Sequence, residues 1–401
     1  MSEITMVENA PARRSWIRPM APRDPHESHR AATPLELLFD LCFVVAIAQA
    51  ASRLHHGIAE GHAIESLVAY VLVFFAIWWA WMSFTWFASA FDSGDVPYRL
   101  GVFIQITGAL VLAAGVPRAF DERDFTVATM GYAVMRVGLV SLWLRAAKWN
   151  DALRVTALRF AVGVTLCQAG WIALLALPPD GWMIGWLLLM PAEMLVPIWA
   201  ERAHPTPWHP HHIAERYGLL TLIVLGESVL ASTVAIQSAL VEGELTLPLF
   251  SVIVGGLLIL FSMWSIYFEP PAHRFLLSNR VAFLWGYGHL IIFSVTTAVG
   301  AGLAVFVDLI TGHAEIPTWV AGASVAVPVA LFILSVWALQ IRPLEKGRAL
   351  EAAFIVTAGL VLAASPSRWA VLLIGLLLAA LVAVMVTIAS ARATVVSASS
   401  R

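Results

Sequence analysis

The stretch PLFSVIVGGLLILFSMWSIYF, residues 248–268, runs for 21 positions without an Asp, Glu, Lys, Arg or His. At a helical rise of ~1.5 Å per residue it is long enough to cross a hydrocarbon layer of ~30 Å. It lacks the strict alternation of a barrel strand, and the bilayer admits little besides helices and closed barrels. Working outward with the same rule of ~20 mostly apolar residues gives eleven more spans. They fall at 35–54, 66–90, 98–117, 125–145, 157–177, 182–200, 214–238, 281–308, 317–340, 349–364 and 368–391. The expected fold class is all-α: a polytopic integral membrane helix bundle of about twelve transmembrane helices. The span at 349–364 is the shortest, and Ser365-Pro366-Ser367 leaves little room to turn after it.

Composition agrees. Of 401 residues, 60% are hydrophobic and 12% charged, against ~45–50% and ~25% in soluble domains, which excludes a water-soluble globule. The net charge of −2 gives no reason to expect a nucleic-acid partner; membrane lipids and a small ion or solute are the partners the composition suggests. Cys42 and Cys167 both lie in apolar runs, so no disulfide framework is indicated. Enzyme signatures are missing: neither Lys148 nor Lys346 follows a glycine as in a phosphate loop, and there is no zinc-protease His pair, two-cysteine redox motif or nucleophile elbow. No catalytic residue, cofactor or metal site is therefore assigned. The loop HPTPWHPHH at 204–212 contains imidazoles that suit a transition metal, but its three prolines and the lack of a Cys partner favour an extended connector. The aromatic run WWAWMSFTWF at 78–87 suits core packing and interface anchoring, with cation binding on ring faces as the alternative.

Basic residues give the topology. Residues 1–34 are polar, carry Arg13, Arg14, Arg18, Arg23 and Arg30, and read as a cytoplasmic tail rather than a cleavable signal. With that tail inside, 19 of the 24 Lys+Arg fall on the cytoplasmic side; only Arg53, Arg118, Arg123 and Arg368 fall outside, and Arg136 lies within a span. Both termini are expected inside, by the positive-inside rule. Glu242, Glu244, Asp308 and Glu315 occupy the outer loops.

A weak internal repeat lays LELLFDLCFVVAIAQAAS, from residue 35, over AERYGLLTLIVLGESVLAS, from residue 214. It divides the chain into a first six-helix half at 35–200, a Pro/His-rich linker at 201–213, a second half at 214–391 and a short tail at 392–401. The same two segments, LELLFDLCFVVAIAQ and HHIAERYGLLTLIVLGESVLA, resemble the signature stretches of the bacterial low-temperature-requirement A (LtrA) membrane proteins. The resemblance rests on Glu36, Phe39, Asp40, Phe43, Glu215, Arg216, Gly226 and Glu227, and extends loosely over about residues 25–390. It implies a multi-helix inner-membrane protein and brings no mechanism with it.

Depth within the spans selects the site. Arg136 lies eleven residues past Phe125, Glu193 eleven past Trp182 and Glu227 ten past Tyr217; at ~1.5 Å each, all three sit near the midplane. Asp40 is shallower, with Glu36 one turn before it. A charge at the bilayer centre costs ~2.5–3.5 kcal/mol on insertion scales and faces the bundle interior or a cavity. Asp40, Arg136, Glu193 and Glu227 are therefore the expected substrate or ion site, with Glu36, Glu215 and Arg216 at its cytoplasmic mouth. Three acids against one Arg leave a surplus of −2, so an acid must protonate, bind a cation or meet water. Pro191 and Pro197 flank Glu193 and suggest a broken helix of the kind that carries transporter sites. Gln49, Gln105, Gln168 and His289 also fall within spans. The function this supports is an ion- or proton-coupled transporter or channel-like protein of the cytoplasmic membrane. The alternative is a non-transporting membrane protein, an intramembrane enzyme or a cold-adaptation scaffold, whose buried charges are structural pairs.

Overall fold

Four of the helices begin at a side-chain cap the sequence supplies. Thr33 opens the first helix with a capping box: its hydroxyl accepts from the Glu36 amide (3.3 Å) while the Glu36 carboxylate accepts from the Thr33 amide (2.7 Å). Asp95, Thr246 and Ser278 cap three later helices with the side-chain acceptor alone. The computed structural model describes residues 16–24, 27, 30–242, 246–274, 276–344 and 347–399. Arg13, Arg14, Glu244, Lys346 and Arg401 of the charge pattern, and the side chain of Arg392, lie outside what is described.

Among the described residues, regular structure is helical throughout. The helices are α1 (Pro34–Ala59), α2 (Ala63–Phe91), α3 (Val96–Asp121), α4 (Thr126–Trp149), α5 (Arg154–Leu174) and α6 (Pro179–Glu201). They continue with α7 (Pro210–Glu242), α8 (Leu247–Phe268), α9 (Asn279–Thr311), α10 (Thr318–Val336), α11 (Arg348–Ala363) and α12 (Ala370–Ser399). Eleven of them are long and apolar enough to cross a membrane. The twelfth, α11, has 16 residues and spans only about 24 Å. Two expectations are corrected. Helix α6 runs unbroken through Pro191 and Pro197, and α7 starts at Pro210, so the end of the Pro/His-rich linker is helical.

The helices alternate between two faces. The connections α2–α3, α4–α5 and α6–α7 meet on one face, where the described residues between Trp16 and Thr33 lie across them. There the Arg23 amide donates to Ala90 O (2.9 Å), Asn150 Nδ2 to Met20 O (2.6 Å), and His209 Nε2 lies 2.9 Å from Glu27 O. Arg30 donates to Ser89 O (2.5 Å) and Ala88 O (2.8 Å), and Met20 is fully buried. Across the bundle, the ends of α1, α3 and α9 are joined by Arg53–Asp121 (2.7 Å) and His55–Asp308 (2.6 Å). The core centres on α2 and α9. Trp78, Trp81, Phe84 and Phe87 of α2 and Trp285 and Phe293 of α9 are all buried to 1% exposure or less.

Helices α3 and α4 approach backbone to backbone. Gly108 faces Gly131, Gly138 faces Gly101 and Gly115 faces Ala128; a Cβ on Gly108 would lie 2.5 Å from Gly131 O, and one on Gly138 2.6 Å from Gly101 O. Such seams of small residues let membrane helices associate by close van der Waals packing.

Candidate functional site

The buried charges form two separate clusters on opposite sides of α2. In the first, Arg136 of α4 reaches Glu193 of α6 (Nη2–Oε1 2.7 Å), with exposures of 3% and 1%. Every Glu193 oxygen is engaged: Oε1 also accepts from Tyr132 Oη (2.9 Å) and Oε2 from Trp171 Nε1 (2.9 Å). Arg136 donates further to Tyr132 Oη and to Ser83 Oγ (3.3 Å), and lies 4.2 Å over the Tyr132 ring centroid. The carboxylate is fully satisfied, while Arg136 Nε has no hydrogen-bond partner among the described residues; Coulomb attraction within the pair offsets part of its desolvation.

In the second cluster, Arg216 of α7 bridges both acids of α1. Its Nη2 lies 2.5 Å from Asp40 Oδ1, which also accepts from Trp81 Nε1 (2.7 Å), and its Nη1 lies 3.2 Å from Glu36 Oε1. His212 Nε2, one turn before Arg216, approaches Glu36 at 3.1 Å, and Arg30 Nη2 at 3.8 Å. Glu36, His212 and Arg216 are all at 0% exposure. The Glu36 carboxylate thus caps α1 and anchors α7 with one group. Asp40 Oδ2 has no hydrogen-bond partner among the described residues.

The expected single centre is therefore not what the chain builds. Arg136 and Glu193 come together, but Asp40 pairs with Arg216. Depth arithmetic orders residues by height and is blind to direction around the bundle. On α2, Trp81 faces Asp40 and Ser83 faces Arg136, two residues and about 200° apart. Glu36 and Arg216 are a sealed cluster rather than an open mouth, whereas Glu215 is exposed and accepts from the Ala32 amide (3.2 Å). The surplus of −2 shrinks accordingly, because Arg216 and Arg30 offset Asp40 and Glu36. Glu227 remains: it is 8% exposed, with no hydrogen bond or ion pair among the described residues.

Several other spanning polar groups are tied locally, whereas the amide of buried Gln168 has no hydrogen-bond partner among the described residues. His289 is fully buried, with Nδ1 2.7 Å from Trp285 O and Nε2 3.0 Å from Tyr267 Oη. Gln340, in a π turn at Trp337–Ile341 that continues α10, lies 3.4 Å from the same nitrogen. Gln105 bonds Gly101 O of its own helix. His211 stacks on His273 at 4.0 Å, and among the described residues no group of His, Cys, Asp and Glu is placed to hold a metal.

A cavity of about 50 Å³ adjoins the first cluster, between α2, α4, α5, α6 and α9, with Glu193 in its wall. Its far end holds Glu201, Thr206 and Asn279. Glu201 Oε1 accepts from Thr206 Oγ1 (2.6 Å), and Oε2 from the Thr206 amide (2.9 Å) and Asn279 Nδ2 (3.0 Å). Sequence reasoning missed Tyr132, Trp171, Trp81, Glu201 and Asn279. For Glu201 a signal existed: it follows Glu193 by eight residues, two turns along one helix face.

The fold and its buried ion pairs define a multi-pass α-helical membrane protein. A match to the family described as bacterial low temperature requirement A protein (LtrA) covers residues 31–391, and the chain belongs to that family. A relative from Rhizobium meliloti (strain 1021), described as "Uncharacterized protein RA0937", is 29% identical over 318 residues, 74% of this chain and 73% of its own. No solved structure matches the chain.

Proposed function

We propose that the protein is an ion- or proton-coupled carrier of the cytoplasmic membrane, with both termini in the cytoplasm and Glu227 as the group that takes up the coupling proton or cation. One observation carries this reading: Glu227 sits inside the spanning segment Pro210–Val234, 8% exposed, with no hydrogen bond or ion pair among the described residues. An ionised carboxylate there costs several kcal/mol, so the group alternates between a protonated or cation-bound form and a hydrated one. In this scheme Arg136–Glu193 and Asp40–Arg216–Glu36 hold the helices around the route. The Asp40–Arg216 contact joins the two segments that match in the internal repeat, which supports two six-helix halves meeting there.

The test is flux in proteoliposomes with a pH-sensitive dye inside. Substrate-dependent proton movement is expected from the wild type and is lost in Glu227→Gln, which still inserts. Undiminished movement in Glu227→Gln removes Glu227 from the mechanism. The fully engaged Glu193 carboxylate favours a second reading, a non-transporting scaffold or intramembrane enzyme. Absence of coupled movement from the wild type across a broad solute panel decides for that reading.

A further inference from the structure

The cavity beside Glu193 has a chemistry the coupling scheme does not use. Its walls are aromatic. Trp86 of α2 packs against Trp208 at 5.2 Å, edge to face, and is stacked with Phe283 of α9 at 6.5 Å; Trp79 meets Tyr287 at 5.6 Å. The rings are held in place, since Trp86 Nε1 donates to Tyr217 Oη (3.0 Å), Trp208 Nε1 to Asn279 Oδ1 (2.8 Å) and Tyr287 Oη to Met194 O (2.8 Å). Ring faces carry negative potential, and a cation over them is attracted more strongly when water is excluded.

Charge points the same way. Glu193 is neutralised by Arg136, but Glu201 makes no ion pair among the described residues. The three contacts it does make all come from neutral donors, so an ionised Glu201 has no counter-ion there. The cavity therefore offers one carboxyl group without a counter-ion at its end and π faces along its sides. A bare metal ion would lose its hydration shell for very few oxygen ligands. An ammonium with alkyl substituents loses little on entering an apolar aromatic wall and keeps its charge beside Glu201. At ~10–15 Å³ per water, a cavity of about 50 Å³ holds about four waters, the bulk of a small alkylammonium.

We infer that this cavity binds a small organic ammonium ion, with Glu201 as counter-ion and Trp86, Phe283 and Tyr287 as the ring faces. The inference rests on the carrier reading for the use of the site as a transport site, while binding itself can be measured without transport.

The probe is labelled tetramethylammonium, bound to the purified full chain in a scintillation proximity assay, with tert-butanol as the neutral competitor of similar shape. Saturable binding is expected, little displaced by tert-butanol, about tenfold weaker in Glu201→Gln and several-fold weaker in Phe283→Leu, which removes a ring face but keeps the bulk apolar. Should Glu201→Gln fail to fold, Phe283→Leu carries the test. No saturable binding by the wild type, equal competition by tert-butanol, or unchanged affinity in the folded variants would each overturn the inference. The two readings fail separately: binding without ammonium flux in liposomes counts against the carrier, and coupled flux of other solutes without ammonium binding counts against this site.

Discussion

Arg136 keeps its charge inside the bundle because one carboxylate and one phenol share it. Removing one member of such a buried pair strands the other, commonly at ~3–5 kcal/mol. Arg136→Ala should therefore lower the detergent melting temperature sharply, and Arg136→Met combined with Glu193→Gln should recover at least half of the loss. A double variant no more stable than Arg136→Ala would show the two residues to be uncoupled. At the membrane surface Asp95 offers a pH-dependent counterpart. Burial opposes its charge, but Arg145, the Arg18 amide, the Ser93 hydroxyl and the Tyr98 amide hold its carboxyl down to about 2. A folded value below the unfolded ~3.9 contributes stability that is present above about pH 4 and lost as the pH falls toward 2. The melting-temperature gap between wild type and Asp95→Asn should thus be constant from pH 5 to 7 and close between 4 and 2; a gap independent of pH would refute the assignment. Partners of this kind are unequally legible in a sequence. Arg136–Glu193 is readable because the two residues fall at one depth in their helices, eleven residues past Phe125 and Trp182. Asp40–Arg216 obeys the same arithmetic if α7 is started at Pro210, which puts Arg216 six residues in, as Asp40 is six residues past Pro34. Starting the span at the first apolar run instead moves Arg216 to the surface, and the pair disappears.

Helices of this bundle are told apart by what holds them to their neighbours. Between α3 and α4 the contact is backbone on backbone, so Gly131→Val drives a branched side chain into Leu112 N, which would lie 2.3 Å from even its Cβ. Overpacking of a tight core commonly costs ~1–3 kcal/mol, and here the atom in the way is backbone that cannot swing aside. Gly131→Val should abolish monodisperse protein in size-exclusion chromatography, while Gly359→Ala, whose Cβ meets nothing within 4 Å, should elute as wild type. Equal behaviour of the two would mean that α3 and α4 are free to separate. The seven-residue spacing of Gly101, Gly108 and Gly115 is visible in the chain, but hydropathy scores glycine as neutral and so passes over it. Proline misleads in the other direction: Pro191 and Pro197 suggest a break in α6, yet the helix continues, since proline within a membrane helix is tolerated where neighbouring groups satisfy the freed carbonyls.

For the whole molecule, the count of helices follows from apolar runs alone, because a bilayer leaves a chain of this composition little other choice. Their lateral order does not follow, since lipid and protein interior are equally apolar and hydropathy cannot tell which face of a helix looks inward. Orientation is set by charge, and reporter fusions check it: those after residues 150 and 210 should report cytoplasm, and those near 180 the exterior. An exterior signal at 150 would overturn the assigned sidedness. The segment from Trp16 to Thr33 adds a constraint of timing. It leaves the ribosome before α1–α12 do, yet its hydrogen-bond partners reach from Ala88 through Asp95, Arg145, Asn150 and His209 to Glu215. Its seat is thus assembled piecemeal during translation and is complete only after half the chain has been inserted. A segment made ahead of the helices it touches is a latch that closes late, and a nascent chain halted before His209 carries that latch open.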